Sequence, residues 1–128
     1  MPAVMPLYAS VGSNNLEVSL QFYGALLGSL GMKRLAANPK GGAFFGHPDT
    51  GVFAVVTPFD ERPATVGNGA MIGFALPSND AVDTFYNAAL GLGATDEGPP
   101  GYRGSAYFAY FRDPEGNKLC AYHWVIPS

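Results

Sequence analysis

Two segments of the chain repeat one another and constrain its fold more than any other feature. Residues 22–28 read FYGALLG and residues 85–91 read FYNAALG, which gives five identities in seven at a shift of 63 (85 − 22). A second echo places HPDTG at 47–51 against DPEGN at 113–117, at a shift of 66 (113 − 47). A repeat at a nearly constant shift indicates a duplicated structural unit. The sequence therefore predicts two halves of the same architecture.

The order of predicted elements agrees with this duplication. In the first half a strand over 3–12 precedes a helix, for which Asn14 is the predicted N-cap because Glu17 follows at capping-box spacing. Turn residues then separate further strands, predicted at 32–36, 42–46 and 51–57 in the first half. In the second half a strand at 70–76 and a helix starting near 78–80 precede strands at 94–97, 105–112 and 118–125. The sequence predicts an α+β fold of two tandem βαβββ half-modules, about 3–58 and 69–126, joined by a linker at about 58–69 within a single domain, 1–128.

The amino-acid composition disfavours some classes of binding partner and favours others. The net charge is −3 and Lys and Arg do not cluster, which disfavours nucleic acid and anionic membranes. No apolar run approaches the roughly 18 residues of a membrane span, and no signal peptide is evident. The single cysteine excludes an intrachain disulfide, so we expect a cytoplasmic protein. Charged residues make up only 13% of the chain, which favours a homodimer because stable interfaces are poor in charge.

Three stretches carry a resemblance to a known family. Residues 112–119, RDPEGNKL, resemble the hairpin before the last strand of vicinal oxygen chelate proteins, the superfamily of glyoxalases, bleomycin resistance proteins and extradiol dioxygenases. Residues 11–23 are similar to the family's first strand-to-helix passage, and GPPGYR at 98–103 resembles a Pro-Gly-x-Arg loop of a bacterial glyoxalase-like branch. The resemblance implies a curved mixed-sheet cup with helices on its outer face.

The resemblance also implies positions for a divalent metal, on the first and last strands of each half. The shifts of 63 and 66 assign these positions to Tyr8, Ala54, Met71 and Cys120. Alanine offers no donor atom, and methionine does not suit a hard cation. We therefore expect no metal and no other cofactor.

Side chains expected to line the cup are mostly aromatic. The predicted ligand-binding residues are Tyr8, Met71, Arg103, Tyr107, Tyr110, Cys120 and Tyr122. Tyr107 and Tyr110 lie on opposite faces of one predicted strand, so one of them should face the ligand. For Arg103 two interpretations stay open: it binds an anionic group of the ligand, or it is a solvated loop residue or forms a salt bridge to Glu97.

These observations lead to one function with alternatives. Cys120 and His123 are three residues apart on a strand, so they point to opposite faces and do not form a nucleophile–base pair with each other. Phosphate-loop and nucleophile-elbow motifs are absent from the sequence. The sequence favours a protein that binds a small molecule without the usual metal. A glyoxalase-like lyase or isomerase, with a relocated metal or with metal-free Tyr/Arg chemistry, is the alternative. A degenerate domain that functions through its dimer surface is a third.

Overall fold

The computed structural model describes residues 7–127, and the chain divides into two compact units, Met1–Thr65 and Val66–Ser128. The boundary falls inside the predicted linker. The first unit contains β1 (Tyr8–Gly12), α1 (Leu16–Gly28), β2 (Arg34–Ala37), β3 (Gly42–His47) and β4 (Gly51–Val56). These strands form one sheet in the order β1-β4-β3-β2, in which β1 is parallel to β4 and the other pairs are antiparallel. The part of the predicted first strand before residue 7 lies outside the described residues.

The second unit repeats the element order of the first. It contains β5 (Ile72–Ala75), α2 (Asn79–Gly91), β6 (Thr95–Arg103), β7 (Ala106–Arg112) and β8 (Lys118–His123). The sheet order is β5-β8-β7-β6, again with one parallel pair, β5 and β8. The prediction of an α+β fold with two tandem βαβββ modules is confirmed. Within residues 7–127, neither helix is long and apolar enough to cross a membrane.

The strand registers reproduce both shifts of the internal repeat. Ser10 pairs with Ala54 in the first unit, and Gly73 pairs with Cys120 in the second. The first members of these pairs differ by 63 (73 − 10) and the second members by 66 (120 − 54). The helices also begin and end 63 residues apart (79 − 16 and 91 − 28). The two sheets are therefore built in the same register, and the second unit has three more residues between its parallel strands.

The start of α1 differs from the prediction by one residue. Asn15, not Asn14, is the N-cap, and its side chain accepts a hydrogen bond from the backbone N–H of Val18 at 3.3 Å. The Asn14 amide instead accepts from the backbone N–H of Ala64 at 2.7 Å and donates to the Ala64 carbonyl at 3.0 Å. The Asn14 prediction was wrong because it relied on the spacing to Glu17, whereas an asparagine side chain can cap a helix without that glutamate, and in the structure Asn14 binds Ala64.

Aromatic side chains pack α2 against the sheet of the second unit. Its N-cap is Ser78, one of the predicted candidates, whose hydroxyl accepts from the backbone N–H of Ala81 at 3.0 Å. Phe85 is 2% exposed and lies 5.6 Å from Phe74 and 6.0 Å from Phe111, measured between ring centroids. Burial of a phenylalanine contributes about 2 kcal/mol, so this contact orients the helix on one face of the sheet.

Strand β6 is longer than the predicted segment 94–97. It runs to Arg103 and includes two prolines, because it is an edge strand and an edge tolerates residues without a backbone N–H. The pairing of β6 with β7 is irregular on both sides of Gly98. These irregularities bring the Gly/Pro-rich loop of the sequence into the sheet and allow Arg103 to reach back along it.

Candidate functional site

The two faces of the β7–β8 hairpin differ in character. Ala109 pairs with Ala121 and Phe111 pairs with Leu119; all four are fully buried, and Phe111 contacts α2 through Phe85. Because side chains alternate along a strand, the intervening pairs project from the opposite face. The residues of this opposite face are Phe108, Tyr110, Arg112, Lys118, Cys120 and Tyr122. We call them the aromatic face.

Three rings of the aromatic face form a stack. Phe108 lies at the centre, with its ring centroid 5.6 Å from that of Tyr110 and 5.4 Å from that of Tyr122. The interplanar angles are 4° and 20°, so the rings are nearly parallel. All three side chains are half-buried. This geometry presents planar apolar surface beside two phenol hydroxyls, which suits contact with a planar molecule.

Two cationic side chains contact the Tyr110 ring. The Arg103 Cζ atom lies 4.9 Å from the ring centroid, and the Lys118 Nζ atom lies 5.2 Å from it. Across residues 7–127 the ion pairs join Arg112 to Glu97 and His47 to Asp49, so neither cation has a carboxylate within 4.0 Å. The Tyr110 end of the aromatic face is therefore locally positive.

Arg103 is held by backbone carbonyl groups. One guanidinium nitrogen donates to the carbonyls of Gly101 at 3.2 Å and Phe108 at 2.6 Å, and the other donates to Pro99 at 3.0 Å. A side chain at Gly98 would crowd the guanidinium, since its Cβ would lie 2.9 Å from an Arg103 nitrogen. The predicted salt bridge to Glu97 is wrong, because Glu97 pairs with Arg112. Binding of an anionic ligand group by Arg103 stays a prediction. Three hydrogen bonds of its guanidinium already go to backbone carbonyls of the loop and of β7.

Cys120 is the buried member of the aromatic face, and its thiol is protonated at neutral pH. It is 1% exposed, and burial raises the pKa of the thiol to about 11, although the charge of Lys118 acts in the opposite direction. A thiol with a raised pKa is a weak nucleophile at neutral pH. His123 projects from the other face, as predicted, and its Nδ1 lies 3.0 Å from Asn79 Oδ1 at the start of α2. The structure therefore keeps Cys120 and His123 apart.

Tyr107 lies on the α2 side of the sheet, away from the aromatic face. Its hydroxyl donates to Asp83 Oδ1 at 2.7 Å, and this hydrogen bond raises the pKa of Tyr107. Its ring lies 5.2 Å from that of Tyr102, whose hydroxyl accepts from Asn79 at 2.9 Å. Of the two tyrosines that the sequence placed on opposite faces of β7, Tyr110 is thus the one beside Cys120 and Tyr122.

Sequence reasoning missed Phe108 and Lys118 as members of the aromatic face. Both could have been found by parity, because Phe108 is two residues from Tyr110 and Lys118 is two residues from Cys120. Phe108 was not predicted because its ring has no polar group, and Lys118 was not predicted because it directly follows the residues of a turn.

Tyr8 and Met71 occupy equivalent positions in the two units. Tyr8 belongs to the first unit, is 63% exposed, and has its ring centroid 6.1 Å from that of Phe44. Met71 directly precedes β5 in the second unit and is 43% exposed. The register thus supports their assignment as repeat-related residues, while their role in ligand binding stays a prediction.

The four positions implied for a divalent metal carry unsuitable donors. Ala54 is fully buried and has no donor atom, Met71 offers a thioether, and Cys120 is a protonated thiol with a raised pKa. Only Tyr8 presents an oxygen. The donor set at these positions does not fit a divalent cation, which prefers several charged or imidazole ligands.

Comparisons with known proteins agree with this architecture. The model of the Glyoxalase/Bleomycin resistance protein/Dioxygenase superfamily matches residues 6–121. A glyoxalase/bleomycin resistance protein from Albidiferax ferrireducens T118 is 46% identical, with a TM-score of 0.84 over 92% of this chain and 97% of that one. A lactoylglutathione lyase from Agrobacterium tumefaciens shares the fold at 18% identity, with a TM-score of 0.69 and 95% of each chain covered. No curated protein matches the chain.

Proposed function

The chain belongs to the Glyoxalase/Bleomycin resistance protein/Dioxygenase superfamily, and we propose that it binds an apolar or amphipathic small molecule on the aromatic face without a divalent metal. The observation that carries the proposal is the stack of Tyr122, Phe108 and Tyr110. These rings are half-buried on the side of the sheet that α2 does not cover. A site for small molecules is typically an apolar wall with a few polar groups that orient the ligand, and this face supplies both.

The energetic argument rests on Phe108, which contacts both tyrosine rings. A planar ligand placed against such a stack gains aromatic contact of about 0.5–1.5 kcal/mol per ring pair beyond the burial of apolar area. Loss of the Phe108 ring removes the centre of the stack and leaves the tyrosines without their shared neighbour. Binding should therefore depend on Phe108 more than on any exposed phenylalanine of the chain.

The alternative of a glyoxalase-like lyase or isomerase receives less support. Such chemistry needs a titrating group or an ion poised over the ligand. The thiol of the aromatic face is protonated at neutral pH, and the histidine of the same strand projects from the opposite face. No observation on these residues favours a particular reaction, so binding is the function we propose.

The test of binding compares two phenylalanine variants with a neutral probe. Binding of 2-naphthamide is measured by ligand-detected NMR and fluorescence for the wild type, Phe108→Ala and Phe59→Ala. Phe59 is the matched control because it is 85% exposed, lies in the other unit and also has a lysine over its ring. We expect Phe108→Ala to weaken binding about tenfold, and Phe59→Ala to leave it unchanged. Equal effects of the two variants, or no binding by the wild type, would refute the proposal.

The absence of a metal is tested separately by elemental analysis of protein purified without chelator. We expect less than stoichiometric zinc, nickel or manganese in the wild type. A stoichiometric metal in the wild type would overturn the metal-free proposal, and its loss in Cys120→Ala would place the ion at the thiol.

Assembly and location complete the proposal. We expect a cytoplasmic homodimer, supported by the low content of charged residues and the single cysteine, which is unpaired. Light scattering coupled to gel filtration measures the mass directly, and a mass of 13.4 kDa at micromolar concentration would contradict the dimer.

A further inference from the structure

The two cations over the Tyr110 ring, Arg103 and Lys118, have no carboxylate within 4.0 Å among residues 7–127. Three acidic residues of β6 and the β7–β8 turn bind other groups. Glu97 pairs with Arg112, Asp96 accepts hydrogen bonds from the Tyr86 hydroxyl and the Gly98 N–H, and Asp113 accepts hydrogen bonds inside the turn. These carboxylates thus bind groups other than the cations over Tyr110.

The two cations differ in what they can offer a ligand. The guanidinium of Arg103 is anchored by three carbonyl groups, so it adds charge at a fixed place while most of its hydrogen-bonding capacity is used. The ammonium of Lys118 donates no hydrogen bond to residues 7–127, although the side chain is half-buried. An ammonium carries three donors and a positive charge, so an oxyanion of a ligand is a suitable partner for it.

The position of Lys118 also ties its charge to the aromatic face. It lies on the same side of β8 as Cys120, two residues away, and its charge opposes the rise in the pKa of that thiol. A ligand that covers the rings would therefore bring any group at its Tyr110 end next to the ammonium.

We propose that the molecule bound on the aromatic face is an aromatic anion, and that Lys118 binds its carboxylate or similar oxyanion beside Tyr110. This inference rests on the proposed function, because it assumes that the rings bind a planar ligand. Lys118 acts as the residue that selects for charge, and Arg103 supports it from its fixed position over the same ring. Charge-assisted hydrogen bonds of this kind are roughly twice as strong as neutral ones, so the charge should decide between ligands of equal shape.

The experiment uses two probes of nearly identical shape, 2-naphthoate and 2-naphthamide, which differ in charge. Their dissociation constants are measured at pH 7.5 for the wild type, Lys118→Met and Lys40→Met. Lys40 is the matched control, since its ammonium lies 4.3 Å from the Phe59 ring centroid in the other unit. Circular dichroism verifies that each variant is folded.

We expect the wild type to bind the acid about tenfold more tightly than the amide. Lys118→Met should abolish this preference, because it should weaken binding of the acid far more than binding of the amide, and Lys40→Met should alter neither. Raising the salt concentration of the assay from 50 to 500 mM should weaken binding of the acid alone, because salt screens the attraction between the carboxylate and the ammonium.

The remaining outcomes separate the inference from the proposed function. Equal affinity of the wild type for acid and amide, with binding of both weakened in Phe108→Ala, would overturn the preference for an anion and leave binding on the aromatic face intact. A preference for the acid that survives in Lys118→Met would remove Lys118 from its role. No binding of either probe by the wild type would overturn both proposals.

Discussion

Alkaline pH should destabilise this protein partly through one buried thiol. Cys120 is 1% exposed, and burial raises its pKa from 9.0 to about 11. The unfolded chain thus loses the thiol proton near pH 9, while the folded chain keeps it until about pH 11. Stability from this group is fully present below pH 9 and is lost as the pH rises towards 11.

The magnitude follows from the size of the shift. One pKa unit corresponds to about 1.4 kcal/mol, and at pH 10 about one unit of the difference has been expressed, so the free energy of unfolding should fall by about 1 kcal/mol between pH 7 and pH 10. Tyr86 and Tyr107 also have raised pKa values and act in the same direction. The quantity to measure is therefore the difference between the wild type and Cys120→Ala.

The assay is urea unfolding followed by circular dichroism at pH 7.5, 9 and 10. Cys120→Ala lowers stability at every pH by removing buried volume, but its stability should fall less steeply with pH than that of the wild type. Alkylation of the native protein by iodoacetamide provides a second measurement, and it should be slow below pH 9. Parallel pH profiles for the two proteins, or rapid alkylation at pH 8, would refute the reasoning.

Three further substitutions test the local structure. Asp113→Ala removes a buried carboxylate that accepts hydrogen bonds from both the backbone and the side chain of Asn117, and urea unfolding should show a loss of about 2–4 kcal/mol. Asn15→Ala removes the cap of α1 and should cost about 1 kcal/mol in the same assay, with an unchanged result contradicting the cap. Gly42→Ala should prevent folding of the first unit, because the added Cβ would lie 1.9 Å from the Val55 carbonyl oxygen at a φ of 112°; a native circular dichroism spectrum would contradict this.

Much of the fold could be predicted because its determinants are local or repeated. The two matching segments required two similar halves, and the hydrogen-bond registers of β1–β4 and β5–β8 reproduce the shifts of 63 and 66 residues. Alternation along β8 is likewise sufficient to place Cys120 and His123 on opposite faces, because successive side chains of a strand point in opposite directions. The cap of α1 could not be chosen from the sequence, since Asn14 and Asn15 carry the same side chain and only the structure shows that Asn15 caps the helix while Asn14 binds Ala64.

The repeat and the alternation of side chains are properties of the chain itself, and they were sufficient to determine the paired modules and to place Cys120 and Tyr122 on one face. The cross-strand register then showed that Tyr110, and not Tyr107, joins them. The tertiary structure alone decided what surrounds Tyr110. The two irregularities in the β6–β7 register turn Arg103 back onto its own loop and place it over the ring. Such irregularities depend on how an edge strand meets its neighbour, so a local pattern of residues does not encode them.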